Sequence, residues 1–263
     1  MIDQTALKRR FAPSQLVRNI VILPFADSTN RRLKEDDYPP GTLVFTLDQR
    51  AGRGRLGREW SAPAGSCLAM SVSVPSELLS AEHRPLLPHC AAIGVSGALR
   101  SLCSADVGIK WPNDIICSGR KICGILCEHT FRGNDEITVC GMGINLNQTA
   151  QELERMGLPY AGSLAMLCGS VPSVEDLLLS VCGGLEEALA QLASGGFERL
   201  RPSYEARCVT LGKQVLIVTE QGERTGFARA VAPDGGLVIE RDGELETVYA
   251  GEVSVRGLYG YLA

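Results

Sequence analysis

Gly52-Arg53-Gly54-Arg55-Leu56-Gly57-Arg58-Glu59-Trp60 is the stretch on which the fold assignment turns. Its first six residues fit G-x-G-x-x-G, and a strand-like run, residues 42–48 (TLVFTLD), precedes them. A dinucleotide-binding unit needs more. A helix must open at the last glycine to aim its N-terminus at a pyrophosphate, inside a βαβ frame and with an acid for the ribose. Here the chain continues Glu59-Trp60-Ser61-Ala62-Pro63-Ala64-Gly65, poor helix material. No clean βαβ unit surrounds it and no ribose-binding acid follows, so a nicotinamide oxidoreductase is set aside. What remains is three arginines alternating with three glycines. Glycine lets the backbone approach a ligand closely, and arginine supplies planar, permanently charged donors suited to carboxylate or phosphate. The loop reads as an anion trap with Trp60 as aromatic wall or lid, mobile when empty and ordered when filled. On its own it reads equally well as a solvated basic loop.

Outward from the loop, residues 20–25 (IVILPF) form a short buried strand, and Ala26-Asp27-Ser28-Thr29-Asn30 is a polar turn that doubles as the N-cap of a helix over 31–35. Residues 1–19 are polar and lack a clear partner element. On the other side, 67–74 alternates as a strand and 84–103 is apolar at helical spacing. Residues 107–111 lead into Pro112-Asn113-Asp114. Residues 114–117 and 121–128 form a hairpin about Ser118-Gly119, and 136–147 is a strand running into a glycine turn. Helices are expected over 173–193 and 196–207. From Cys208 the texture changes to short strands between glycine-rich turns, the pattern of a small β-barrel.

A chain of 263 residues accommodates one large domain, or a medium and a small one. A content of 45% hydrophobic and 21% charged residues is that of an ordinary globular protein, and a net charge of -4 argues against general nucleic-acid binding. No run approaches the roughly 18 apolar residues of a membrane span, and the N-terminus lacks the apolar core of a secretory signal. The ten cysteines include no C-x-x-C pair and sit in apolar runs, which points to buried reduced thiols in a cytoplasmic protein rather than zinc ligands.

Three further constellations follow the loop. In Lys110-Trp111-Pro112-Asn113-Asp114 the lysine suits a phosphate, while the Asn and Asp suit Mg²⁺ or a ribose hydroxyl. In Gly119-Arg120-Lys121-Ile122-Cys123-Gly124 a lysine at a strand start, ahead of a close-packing glycine, holds an amine over a reactive anion. In Gly141-Met142-Gly143-Ile144-Asn145-Leu146-Asn147 a tight turn presents amides to a base or ribose. Each has a plainer counterpart: a capped proline turn, a surface lysine, a structural turn.

In this order the four motifs, with Ser28-Thr29-Asn30 ahead of them, resemble those of the biotin–protein ligases, over residues 20–263. That family shows S-T-N, G-R-G-R-x-G-R-x-W, K-W-P-N-D, R-K-x-x-G and G-x-G-x-N in succession, and Gly251-Glu252-Val253-Ser254 resembles its last strand motif. The resemblance implies an α+β fold. A large mixed-sheet catalytic domain of the class II aminoacyl-tRNA synthetase/biotin ligase type would occupy residues 1–207, and a C-terminal SH3-like β-barrel 208–263. It implies biotin and ATP as substrates, Mg²⁺ as cofactor, and a biotin carboxyl carrier protein domain of a carboxylase as acceptor.

By motif position, Ser28, Thr29, Asn30 and Gln49 are expected to contact biotin. Arg53, Gly54 and Arg55 would close over its carboxylate and the α-phosphate. Lys121, with Gly124 beside it, would hold the carboxylate and the adenylate phosphate. Arg58, Trp60, Lys110, Asn113, Asp114 and Asn145 would serve ATP, and Asp114 would hold its metal. Lys121, Arg53, Arg55 and Asp114 are the expected catalytic group, Asp114 as orienter or base for the incoming amine. Arg50 departs from the family pattern, where a second Gln is common, and this bears on the assignment of Gln49. Nineteen residues before the first core strand are too few for the winged-helix domain some members carry, so no DNA binding is expected; a homodimer is compatible. The competing functions are a lipoate or octanoate ligase or transferase, and a non-enzymatic biotin-binding protein.

Overall fold

The computed structural model describes residues 2–169, 171–219, 222–249 and 254–257. In chain order the elements are α1 (Gln4–Phe11), β1 (Asn19–Ile22), α2 (Thr29–Glu35), β2 (Thr42–Thr46), β3 (Gly52–Arg53), β4 (Glu59–Trp60), β5 (Cys67–Ser73) and α3 (Leu87–Cys103). They continue with β6 (Val107–Lys110), β7 (Asp114–Cys117), β8 (Arg120–Arg132), β9 (Asp135–Asn145), α4 (Ala150–Arg155), α5 (Leu164–Cys168) and α6 (Val174–Glu205). The last five are β10 (Gln214–Thr219), β11 (Gly222–Val231), β12 (Leu237–Arg241), β13 (Glu244–Val248) and β14 (Ser254–Gly257).

Seven strands make a mixed sheet in the order β1-β2-β5-β9-β8-β7-β6, with β1 and β2 parallel and the other neighbours antiparallel. Its two faces are set by the period-2 alternation of strands. Leu68, Met70 and Val72 of β5 and Cys140, Met142 and Ile144 of β9 point into the main core, under α3 and α6. Those helices approach closely where Gly94 meets Gly184; a Cβ on Gly94 would lie 2.6 Å from the Leu185 nitrogen. Residues 84–103 and 174–205 are long and apolar enough to cross a membrane by composition, but both lie against this core, which accounts for their apolarity.

The opposite face carries the intervening residues, Cys67, Ala69 and Ser71 of β5 and Gly141, Gly143 and Asn145 of β9. Here α2 packs Leu33 against Val44, Ile137 and Val139. Its N-terminus is fixed by Ser28, whose hydroxyl accepts from the Arg31 N–H, and its surface by Asp27–Arg31 and Arg31–Glu35 ion pairs one turn apart.

The second sheet is antiparallel, in the order β13-β12-β11-β10-β14. It is fastened to the first by backbone hydrogen bonds from Ile109 to Arg207 and from Val209 to Ile109, at 2.7 and 2.9 Å, which cover the β6 edge. The Trp111 indole N–H and His89 Nε2 both reach the Gly235 carbonyl, at 2.9 and 3.1 Å, and the Tyr204 hydroxyl donates to the Pro112 carbonyl at 3.1 Å.

Two expectations are corrected. The N-terminal segment does have a partner element: α1, capped by Asp3, buries Leu7 and Phe11 one turn apart. The residues 141–147 do not begin with a glycine turn, because β9 runs straight through to Asn145. The two helices expected over 173–193 and 196–207 are both present within α6, parted by a kink at the non-helical Gly195 and Gly196. The expected hairpin turn is present, with Ser118 and Gly119 at φ 47° and 75°, the conformation of a two-residue hairpin loop. Of the Gly251-Glu252-Val253-Ser254 motif, residues 251–253 lie outside the described residues.

Candidate active site

A cavity of about 600 Å³ opens on the helix-poor face, within the roughly 300–1,000 Å³ usual for small-molecule sites. Every residue expected from the sequence to contact biotin, ATP or the metal lines it, from Ser28 to Asn145. Five cations (Arg53, Arg55, Arg58, Lys110 and Lys121) face two carboxylates, Glu59 and Asp114, on its wall. A chain of net charge -4 therefore concentrates positive charge in this hollow.

The floor is cleared by small residues in cross-strand rows. Gly124, Gly143 and Ala69 stand opposite one another on β8, β9 and β5, as do Leu126, Gly141 and Ser71. Trp60 lies over the first row: a Cβ would come within 2.5 Å of its indole at Gly143 and 2.8 Å at Gly124. Asn30 lies over the second, where a Cβ on Gly141 would overlap its amide. These glycines serve close approach, not a turn.

The glycine–arginine loop is a small hairpin, β3 against β4, with a single 3₁₀ turn over Arg55–Gly57 between them. Gly54 donates to the Arg58 carbonyl at 2.7 Å, and Leu56 at the tip takes φ 56°. No helix follows it. Trp60 Nε1 donates to Cys67 Sγ at 3.4 Å, and burial pushes that thiol up to about 11, so it stays protonated. Arg55 Nη1 donates to Asn113 Oδ1 at 2.9 Å, which latches the hairpin to the sheet. Asn113 Nδ2 in turn donates to the Ile125 carbonyl at 2.7 Å. Burial presses the Arg55 guanidinium below its ordinary range while Asp114 acts against that; guanidinium remains charged throughout.

Lys121 is aimed by its backbone. The β7–β8 register slips beside it, with Ile122 as the extra residue, a bulge of the kind that re-aims a side chain. Its N–H donates to the Tyr160 carbonyl and its carbonyl accepts from Gly162, both at 2.9 Å. The ammonium sits 2.6 Å from Asp114 Oδ1 and 5.3 Å from the centre of a Trp60 ring. Asp114 thus orients the lysine.

Asn145 is engaged at both ends of its amide, donating to the Gly162 carbonyl at 2.9 Å and accepting from Gln148 at 3.1 Å. Gln49 Oε1 accepts from the Thr29 N–H at 2.9 Å. Arg50 is paired with Asp48 and stacked on Phe25 and does not line the cavity. Among the described residues no three His, Cys, Asp or Glu side chains gather as a metal site.

Sequence reasoning missed part of the rim. Gln148, Leu153, Leu158 and Tyr160 line the cavity from α4 and the loops on either side of it, and Leu216 lines it from β10. Thr149-x-x-Glu152, which forms a capping box, was the local signal for α4.

Known proteins share this sequence pattern and fold. Residues 22–145 match the biotin/lipoate A/B protein ligase family, and residues 210–256 the biotin protein ligase C-terminal domain. A biotin–[acetyl-CoA-carboxylase] ligase of Paracoccus denitrificans is 30% identical over 257 residues, 90% of this chain and 100% of that protein. One from Mycobacterium tuberculosis is 30% identical over 217 residues, 81% of this chain and 78% of its own length. The solved biotin protein ligase from Aquifex aeolicus in complex with biotin and ATP has a TM-score of 0.79 at 28% identity, over 91% of this chain and 99% of that one.

Proposed function

The chain belongs to the biotin protein ligase family, and on that premise we propose that it activates biotin with ATP as biotinyl-5'-AMP. It then transfers the biotinyl group to a lysine of a biotin carboxyl carrier protein domain, releasing AMP. The observation that carries this reading is the five-cation cavity roofed by the Arg55–Asn113 latch.

In the first step a biotin carboxylate oxygen attacks the α-phosphorus of ATP and the bond to pyrophosphate breaks. Two anions about 4 Å apart repel by about 4 kcal/mol at an effective dielectric near 20, and each cation placed between them offsets a similar amount. Lys121, anchored through its backbone, is the charge on the sheet; Arg53 and Arg55 are the ones carried on the hairpin. Ser28, Thr29, Asn30 and Gln49 hold the biotin ring end, and Arg58, Trp60, Lys110 and Asn145 the nucleotide end. Mg²⁺ would fit this donor set as a companion of the nucleotide, held mainly by its phosphates with the Asp114 carboxylate, already paired with Lys121, beside them, and would supply charge neutralisation there. In the second step the lysine amine attacks the acyl carbon, the bond to AMP breaks, and an amide forms. Water would hydrolyse the anhydride, and the roof of Trp60 and the latched hairpin excludes it.

On this reading residues 1–207 form the catalytic domain and 208–263 a C-terminal domain that closes the nucleotide end through Leu216, and the enzyme works in the cytoplasm. Pyrophosphate release with Mg²⁺ATP tests it: release that depends on biotin is expected, and release that depends on lipoate or octanoate instead would overturn it.

A further inference from the structure

One wall of the cavity is a chain of polar groups that ends outside it. Asn30 Nδ2 donates to the Leu126 carbonyl at 3.1 Å and to the Glu128 carboxylate at 2.7 Å. Both partners only accept, so the amide has one orientation, with Oδ1 facing the Ser71 hydroxyl at 2.6 Å. Ser71 must give its single proton to that oxygen. The Thr29 hydroxyl, 2.6 Å from Ser71 Oγ, must therefore donate to Ser71. It has no proton left for Gln49 Oε1 at 3.2 Å, which is served by the Thr29 backbone N–H. What the Thr29 oxygen offers a ligand is a lone pair. The other Glu128 oxygen accepts from Lys34 Nζ at 2.6 Å. Ser71, Glu128 and Lys34 do not line the cavity.

We propose that Glu128, held by Lys34, is a positioning residue that sets the donor–acceptor polarity of this wall through Asn30, Ser71 and Thr29, and so selects a ligand that brings an N–H donor. The inference rests on the biotin-ligase reading: the ureido ring of biotin carries N–H donors and the dithiolane ring of lipoate carries none. An apolar or reversed wall would admit both rings with less discrimination.

Glu128→Gln tests it. The new amide must turn its NH₂ either to the Lys34 ammonium or to the Asn30 NH₂, so a donor faces a donor in both arrangements. The KM for biotin in pyrophosphate exchange is expected to rise about tenfold, the size of one mismatched buried hydrogen bond, with kcat and the KM for ATP within about twofold. Adding Lys34→Met frees the NH₂ end to face outward and returns the carbonyl to Asn30. The double variant should therefore recover to within about threefold of wild type. A Glu128 that served only as an ion-pair partner would leave the double variant no better than the single. An unchanged KM in the single variant, or no recovery in the double, overturns the inference while an active wild type leaves the ligase reading standing; a wild type inactive with biotin overturns both. If the single variant does not fold, the double variant decides alone, by the same threefold recovery or its absence.

Discussion

At the scale of single residues the account rests on Lys121 and Asp114. Their 2.6 Å contact, with about a fifth or less of either side chain exposed, fixes the ammonium in the cavity, which on the proposed function is where a carboxylate and a phosphate would meet. The backbone clamp from Tyr160 and Gly162 keeps the Cα in place even when the side chain is removed. Lys121→Ala is therefore expected to lower kcat for adenylate formation about 10²–10³-fold, the loss usual for one preorganised charge-stabilising donor, and to move the melting temperature by only a few degrees. Single-turnover pyrophosphate release and thermal unfolding of the same preparation check this; wild-type release would remove Lys121 from the chemistry. These residues were legible in the sequence because their chemistry is local: arginine among glycines, lysine at a strand start. Ser71 and Glu128 were not legible, because they act through Asn30, 41 and 98 residues away, and Ser71 also through Thr29.

At the scale of elements, the glycines of β8 and β9 decide where the hairpin can rest. Read along the chain, Gly141-x-Gly143 is compatible with a turn; only Trp60 and Asn30, arriving from more than 80 residues away, show that a bare strand face is required there. The same limit hid α1, whose two buried apolar residues are too few to stand out in a polar octamer. The long strands and α3, by contrast, carry their period in the sequence, and most were placed within a few residues. Gly143→Ala puts a methyl group 2.5 Å from the Trp60 indole, and the indole must lift, because the floor beneath it is backbone. The expected result is a red-shifted Trp60 emission, measured in a Trp111→Phe background, with faster hydrolysis of the adenylate and loss of transfer yield. An unshifted spectrum with wild-type transfer would show that Trp60 does not roof the site.

At the scale of the whole molecule, one carbonyl gathers two of the hydrogen bonds that hold the second sheet to the first. Gly235 accepts from both His89 and Trp111, and its φ of +86° and 2.7 Å approach to His89 leave no room for a side chain. Trp111, one residue from Lys110 and three from Asp114, thus ties this part of the cavity to the sheet that supplies Leu216. His89 is 4% exposed with Nδ1 unpartnered among the described residues, and burial pushes its imidazole down from 6.5 to about 4. Between those pH values the unfolded chain takes up the proton and the folded chain does not, so stability is full above pH 6.5 and falls as the pH drops towards 4. The loss is up to about 3 kcal/mol at roughly 1.4 kcal/mol per pH unit. His89→Gln keeps an N–H for Gly235 and removes the titration, so its melting temperature should fall less over that window; parallel curves would contradict the assignment. The central claim is transfer of biotin itself. The purified protein incubated with biotin, Mg²⁺ATP and a biotin carboxyl carrier protein domain, read by intact mass, should add one biotinyl group to the carrier, dependent on ATP. A carrier that stays unmodified, or that gains lipoyl in place of biotinyl when both acids are supplied, would contradict it.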